Sequence, residues 1–215
     1  MVLNSVQILR GVAAFGVLFY HATRWIGPLP GIEIGAAGVD LFFVISGFIM
    51  VYASEPMFGQ RGATRHFLVR RIIRIVPLYW GLTTLVVLRH GFPPNLLGSY
   101  LFIPLNRGPI ITVGWTLNYE MMFYGLFAAL IFLQRRTAVL TLSLILMTLV
   151  ATPSIFGLAL PMPWKEWTGP LLLEFVFGML VGLAFCEGWR FRPVISWVIV
   201  LGAVALVTHA IYPLC

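Results

Sequence analysis

Seven long apolar runs, near residues 6–26, 36–54, 72–88, 111–133, 137–156, 169–186 and 194–212, constrain this chain more than any other feature. A hydrocarbon core about 30 Å thick is crossed by roughly 17–25 apolar residues, so each run is long enough to span as a helix. The connections hold the helix breakers: Gly27-Pro28-Leu29-Pro30-Gly31, Phe92-Pro93-Pro94-Asn95, Pro161-Met162-Pro163 and Arg192-Pro193. With only 10% charged residues, against about 25% in a soluble domain, the chain reads as an all-α polytopic membrane protein. It is expected to form one transmembrane domain over 1–215. The eleven-residue stretch Asn95 to Leu105 is too short to span and is expected to be interfacial or re-entrant.

The net charge of +7 follows the positive-inside rule better than it does nucleic-acid binding. With the N-terminus cytoplasmic, ten basic residues fall inside, including Arg10, Arg61, Arg65, Arg70, Arg71 and Arg74. Only Arg24, Arg89, Arg107 and Lys165 fall outside. That bias predicts a cytoplasmic N-terminus, and seven spans then put the C-terminus outside.

Ionisable residues inside spans are costly, and usually mark a function. Arg10 and His21 are eleven steps apart, which brings them within ~20° of one helix face and ~16 Å apart along its axis. By the same rise, His21 lies ~8 Å in from the outer face, Asp40 ~6 Å, Glu174 ~8 Å, His209 ~5 Å and Glu120 ~14 Å. Five such groups on five spans predict a shared cavity in the outer half. Arg70, Arg71 and Arg74, with Arg10, form a cationic rim at the opposite end. Guanidinium forks there suit phosphate oxygens, and equally anionic lipid. Asp40 is placed to orient the imidazole of His21, and Glu120 shares a helix face with Tyr124. Gly178 and Gly182 read as a close-packing pair, and Trp115, Trp164 and Trp167 as interfacial anchors.

Several chemistries have no support. The four histidines fall on different elements without metal-ligand spacing, so no metal is expected. No serine sits in a nucleophile elbow, and no glycine loop cradles phosphate. Cys186 and Cys215 fall at opposite membrane faces and should not bridge. The buried acids and histidines alone also fit a proton- or ion-coupled transporter, although no repeated half is evident. A non-catalytic component of a larger membrane complex is a third reading.

Four successive stretches resemble the signatures of the membrane acyltransferase 3 family, most like its exopolysaccharide acetyltransferase branch. They are Leu9-Arg-Gly with His21-Ala22, Gly38-Val-Asp-Leu-Phe-Phe-Val-Ile-Ser-Gly-Phe-Ile49, Phe67-Leu-Val-Arg-Arg-Ile-Ile-Arg-Ile-Val-Pro-Leu-Tyr-Trp80 and Gly114-Trp-Thr-Leu-Asn-Tyr-Glu-Met-Met-Phe-Tyr124. The resemblance implies transfer of an acyl group, usually acetyl, from cytoplasmic acyl-CoA to a sugar hydroxyl across the membrane. The acceptor would be an exported polysaccharide or a lipid-linked sugar. Acyl-CoA would be a donor substrate, with no bound cofactor. Matching positions make His21, Asp40 and Glu120 catalytic, His21 as general base or nucleophile, and assign Arg10, Arg71 and Arg74 to the acyl-CoA. Location in a bacterial inner membrane follows, with membrane lipid and polysaccharide-synthesis or export proteins as partners. Family members carry further helices, so the resemblance also implies that helices beyond Cys215 are missing.

Overall fold

A computed structural model describes residues 4–23 and 37–189. They form eight helices: α1 Asn4–Thr23, α2 Ala37–Ala53, α3 Ala63–His90, α4 Leu96–Leu101, α5 Trp115–Leu130, α6 Arg135–Phe156, α7 Trp164–Trp167 and α8 Leu172–Cys186. No strand occurs among the described residues. Helices coincide with six of the seven expected runs. The seventh, 194–212, lies outside the described residues, as do His209, Cys215, Arg24, Arg190 and Arg192.

Four segments are long and apolar enough to cross a membrane: Asn4–Ala22, Ala63–His90, Arg135–Phe156 and Trp164–Cys186. α2 is strongly apolar but has 17 residues, and α5 has 16. The stretch 95–105 contains only the six-residue α4, closed by Phe102 in the left-handed region (φ 56°). Apolar side chains cover the outside of the bundle, Leu85, Leu88, Leu144 and Ile155 among them. A helix surface this apolar is solvated by lipid, not water.

The largest departure from expectation is α3. It begins at Ala63, not near residue 72, and runs for 28 residues. An apolar-window reading stops at Arg70, Arg71 and Arg74. The backbone does not, because arginine is a good helix former whose stem lies along apolar surface. Arg71 and Arg74 therefore stand two to three turns inside the helix.

The bundle closes around α2, α5, α6 and α8. Phe43, Phe123 and Phe175 are fully buried, with ring centroids 4.9 Å apart for Phe43–Phe175 and 4.2 Å for Phe123–Phe175. α2 and α8 touch backbone to backbone. A Cβ on Gly47 would sit 2.3 Å from the Phe175 carbonyl oxygen, and one on Gly178 2.0 Å from that of Val44. On Gly182 it would meet the Phe48 carbonyl oxygen at 3.0 Å. The Gly178–Gly182 pair thus serves the close approach read from its spacing. Val44 facing Gly178 and Phe48 facing Gly182 also show that the two helices run parallel.

α3 and α5 run antiparallel. Thr64 Oγ1 donates to the carbonyl of Ala128 (2.9 Å), whereas Tyr79 lies against Gly114 at the opposite end of α5. α1 leans on α2 where Gly38 meets Ala13 and Val17. At the far end of α2, Gly59 N–H donates to the Ile131 carbonyl (3.1 Å) and Arg135 pairs with Glu55.

Gly178→Ala forces a methyl into the Val44 carbonyl, and overpacking of this kind costs about 1–3 kcal/mol. Thermal unfolding in detergent should show a clear fall in Tm for Gly178→Ala. Gly125→Ala, whose Cβ meets nothing within 4 Å, should leave Tm unchanged or raise it slightly.

Candidate functional site

Residues from α1, α2, α3 and α5 enclose a cavity of about 170 Å³. Its polar lining is Arg10, Ser46, Arg71, Arg74, Glu120 and Tyr124, and its walls are apolar, Phe42, Ile45, Ile75 and Leu117 among them. Three cationic side chains and one carboxylate thus face a common space between apolar helices.

Glu120 is fixed from two sides. Ser46 Oγ donates to its Oε1 at 3.1 Å, and the Tyr124 hydroxyl donates to its Oε2 at 2.9 Å. Tyr124 follows Glu120 by one helical turn of α5, so this second bond is local, whereas Ser46 reaches across from α2. Arg71 lies over the rings of Phe67 (5.4 Å to the centroid) and Tyr124 (5.7 Å). Cation–π contact of that kind holds a guanidinium in apolar surroundings. Arg74, Arg10 and Glu120 are all within electrostatic reach of Arg71. A polar or anionic group entering the cavity would meet guanidinium donors in a low-dielectric setting, where such contacts are strongest.

Of the six residues singled out from the sequence, Arg10, Arg71, Arg74 and Glu120 line this one cavity. The expected sorting of Glu120 with the outer acids and histidines does not hold. Starting α3 at Ala63 carries Arg71 and Arg74 deep enough to meet Glu120 at mid-bundle. His21 does not line the cavity. It occupies the last turn of α1, exposed, with its ring edge-on to Tyr20 at 5.4 Å.

Asp40, in the first turn of α2, and Glu174, in the first turn of α8, are close electrostatic neighbours. Glu174 Oε2 is buried and has no hydrogen-bond partner among the described residues. Glu174 is thus the carboxyl neighbour of Asp40. Because Gly38 packs on Ala13 and Val17, this acid pair and His21 occupy the same end of the bundle.

Sequence reading passed over Ser46 as a cavity residue. A lone hydroxyl in the apolar run Leu41 to Met50 was the available signal. Among the described residues, no three His, Cys, Asp or Glu side chains gather as a metal site would require.

A family model for the acyltransferase domain, of the acyltransferase 3 type, matches residues 3–214. The chain belongs to this family. One relative is the exopolysaccharide production protein ExoZ of Rhizobium meliloti (strain 1021), 36% identical over 187 residues, covering 80% of this chain and 57% of that protein. A second is the acyltransferase MdmB of Streptomyces mycarofaciens, 27% identical over 258 aligned residues, covering 99% of this chain and 65% of MdmB. Nodulation protein 10 of Rhizobium leguminosarum bv. viciae is 34% identical over 82 residues, 34% of this chain and 21% of that protein. The chain thus spans less than two thirds of the length of these curated relatives. No solved structure matches it. Family membership and the apolar helices together make it a multi-pass membrane protein.

Hydrogen bonds to charged groups contribute about 1.5–3 kcal/mol, and Tyr124 is almost wholly buried. Tyr124→Phe should lower unfolding stability by roughly that amount. Ser46→Ala, at a partly exposed position, should lower it by less. Thermal unfolding of both variants, followed by tryptophan fluorescence in detergent, measures the difference.

Proposed function

We propose that the protein transfers an acyl group, acetyl in the first instance, from cytoplasmic acyl-CoA to a hydroxyl of an exported polysaccharide or lipid-linked sugar. Convergence of Arg10, Arg71, Arg74 and Glu120 on one intramembrane cavity carries this reading. Family membership and the name of MdmB support acyl transfer, and the name of ExoZ supports an exopolysaccharide acceptor. The setting is a bacterial inner membrane, with about seven spans in this stretch and the N-terminus cytoplasmic. The positive-inside bias supports that orientation.

In this reading the acyl donor passes through the cavity from the arginine-rich end. Arg10, Arg71 and Arg74 hold its polar arm, and Glu120, clamped by Ser46 and Tyr124, accepts hydrogen bonds from it. The acyl carbon is delivered along α1, whose single unbroken helix puts His21 ~16 Å beyond Arg10. At that end His21 takes the proton of the acceptor hydroxyl as its oxygen attacks the thioester carbonyl, or attacks the carbonyl itself to form an acyl-imidazole. A C–O bond to the sugar replaces the C–S bond, and the thiolate leaves as the thiol. Asp40, in the first turn of α2 at the same end of the bundle, stabilises the imidazolium.

O-acetyl analysis of polysaccharide from cells lacking the gene, complemented with variants, tests the assignment. General acid–base groups contribute roughly 10²–10⁴-fold, so His21→Ala should reduce acetylation at least ~100-fold while membrane insertion is unchanged. Glu120→Gln should fall well below wild type at equal expression. Normal acetylation by His21→Ala would remove the histidine from the mechanism.

A further inference from the structure

A second and larger concavity opens at the end of the bundle where α2 gives way to α3. Its volume is about 740 Å³, against about 170 Å³ for the arginine–glutamate cavity. Sites for drug-sized ligands run to roughly 300–1,000 Å³, so only the larger space has room for a nucleotide. Its charged lining is Arg61 and Arg65, with no acidic residue among the lining side chains. Leu68, Val69 and Phe132 provide an apolar wall, and the Phe132 ring is exposed. Two cations beside an exposed aromatic ring match a ligand that carries phosphates and a planar base.

The groove and the cavity are stations along one helix face. Thr64 and Leu68 line the groove, while Arg71 and Ile75 line the cavity. These positions follow the i, i+4, i+7, i+11 pattern that lies on one side of a helix. They cover ~16 Å of axis, with the groove's last α3 turn next to the cavity's first. The side chains available to phosphate also differ between the two. Arg71 is engaged over the Phe67 and Tyr124 rings, whereas Arg61 and Arg65 are exposed.

We propose that the groove at Arg61, Arg65 and Phe132 seats the nucleoside bisphosphate end of the acyl donor, whose arm then follows α3 into the arginine–glutamate cavity. This deepens the functional reading above and rests on it for the identity of the donor. An anionic phospholipid headgroup would offer the same phosphate chemistry. The aromatic wall and the continuity with the cavity favour the nucleotide.

The test uses the full-length protein in nanodiscs of zwitterionic lipid, with the Arg61→Ala/Arg65→Ala variant checked for unchanged Tm. Binding of adenosine 3′,5′-bisphosphate should weaken by roughly tenfold or more, as expected when two charge-assisted phosphate contacts are lost. KM for acetyl-CoA should rise by a similar factor. Acetyl-pantetheine, which has the same arm and thioester but no nucleotide, should lose less than about threefold. Arg61→Lys/Arg65→Lys should recover part of the loss, since lysine keeps the charge without the fork.

Equal losses with both donors, unchanged bisphosphate binding, or an effect seen only when anionic lipid is present would each overturn the proposal. The two readings fail separately. Bisphosphate binding that depends on these arginines, without acetylated product from the wild type, removes the acyl-transfer reading and leaves the groove. Transfer from acetyl-CoA that is indifferent to Arg61 and Arg65 does the reverse.

Discussion

The close approach of α2 and α8 is the contact on which the rest of the bundle depends. Lipid tails are as apolar as leucine, so helices in a bilayer gain little from burying apolar faces against each other. They gain instead where backbones approach closely enough for dense van der Waals contact. Gly47, Gly178 and Gly182 permit this, each where a methyl group would meet a carbonyl or a backbone atom of the facing helix. With α8 against one side, α2 is free to present Phe42, Ile45 and Ser46 to α3 and α5 on another, and Gly38 to α1. The wall of the arginine–glutamate cavity is therefore positioned from behind, by glycines that never touch it.

Polar groups sort by level along this frame. The carboxyl pair Asp40–Glu174 and exposed His21 occupy the end where α2 and α8 begin. Arg10, Arg71, Arg74 and Glu120 hold the middle, and Arg61 and Arg65 the end where α2 gives way to α3. Each level answers the cost of polarity in a different way. At the first, two carboxyl groups lie side by side. At the second, the Arg71 guanidinium lies on aromatic faces, and two hydroxyls hold the Glu120 carboxylate. At the third, the charges remain exposed.

Much of this was legible in the sequence. Run lengths and proline-bearing breaks located the helices among the described residues, because a bilayer demands a fixed helix length and tolerates few breakers. The spacing of Gly178 and Gly182 announced a close contact, though not that its partner would be α2. Depth was less legible. A window of hydropathy discounts arginine, so it began α3 several residues late and separated Arg71 and Arg74 from Glu120. Partner choice was least legible of all. Asp40 neighbours Glu174 because of how α2 is rotated against α8, and rotation is decided by packing that one helix's own residues do not specify.

The parallel α2–α8 contact also has a consequence for biosynthesis. Val44 meets Gly178, and everything from the end of α2 through α7 lies between them in the chain. At ribosomal elongation of about 5–20 residues per second, on the order of ten seconds separate the emergence of the two contact residues. Helices α3, α5 and α6 must therefore wait in the bilayer beside an α2 whose glycine face has no neighbour. Over that interval Asp40 also lacks Glu174. The order of synthesis thus leaves the glycine face of α2, and Asp40 with it, open to lipid until α8 arrives.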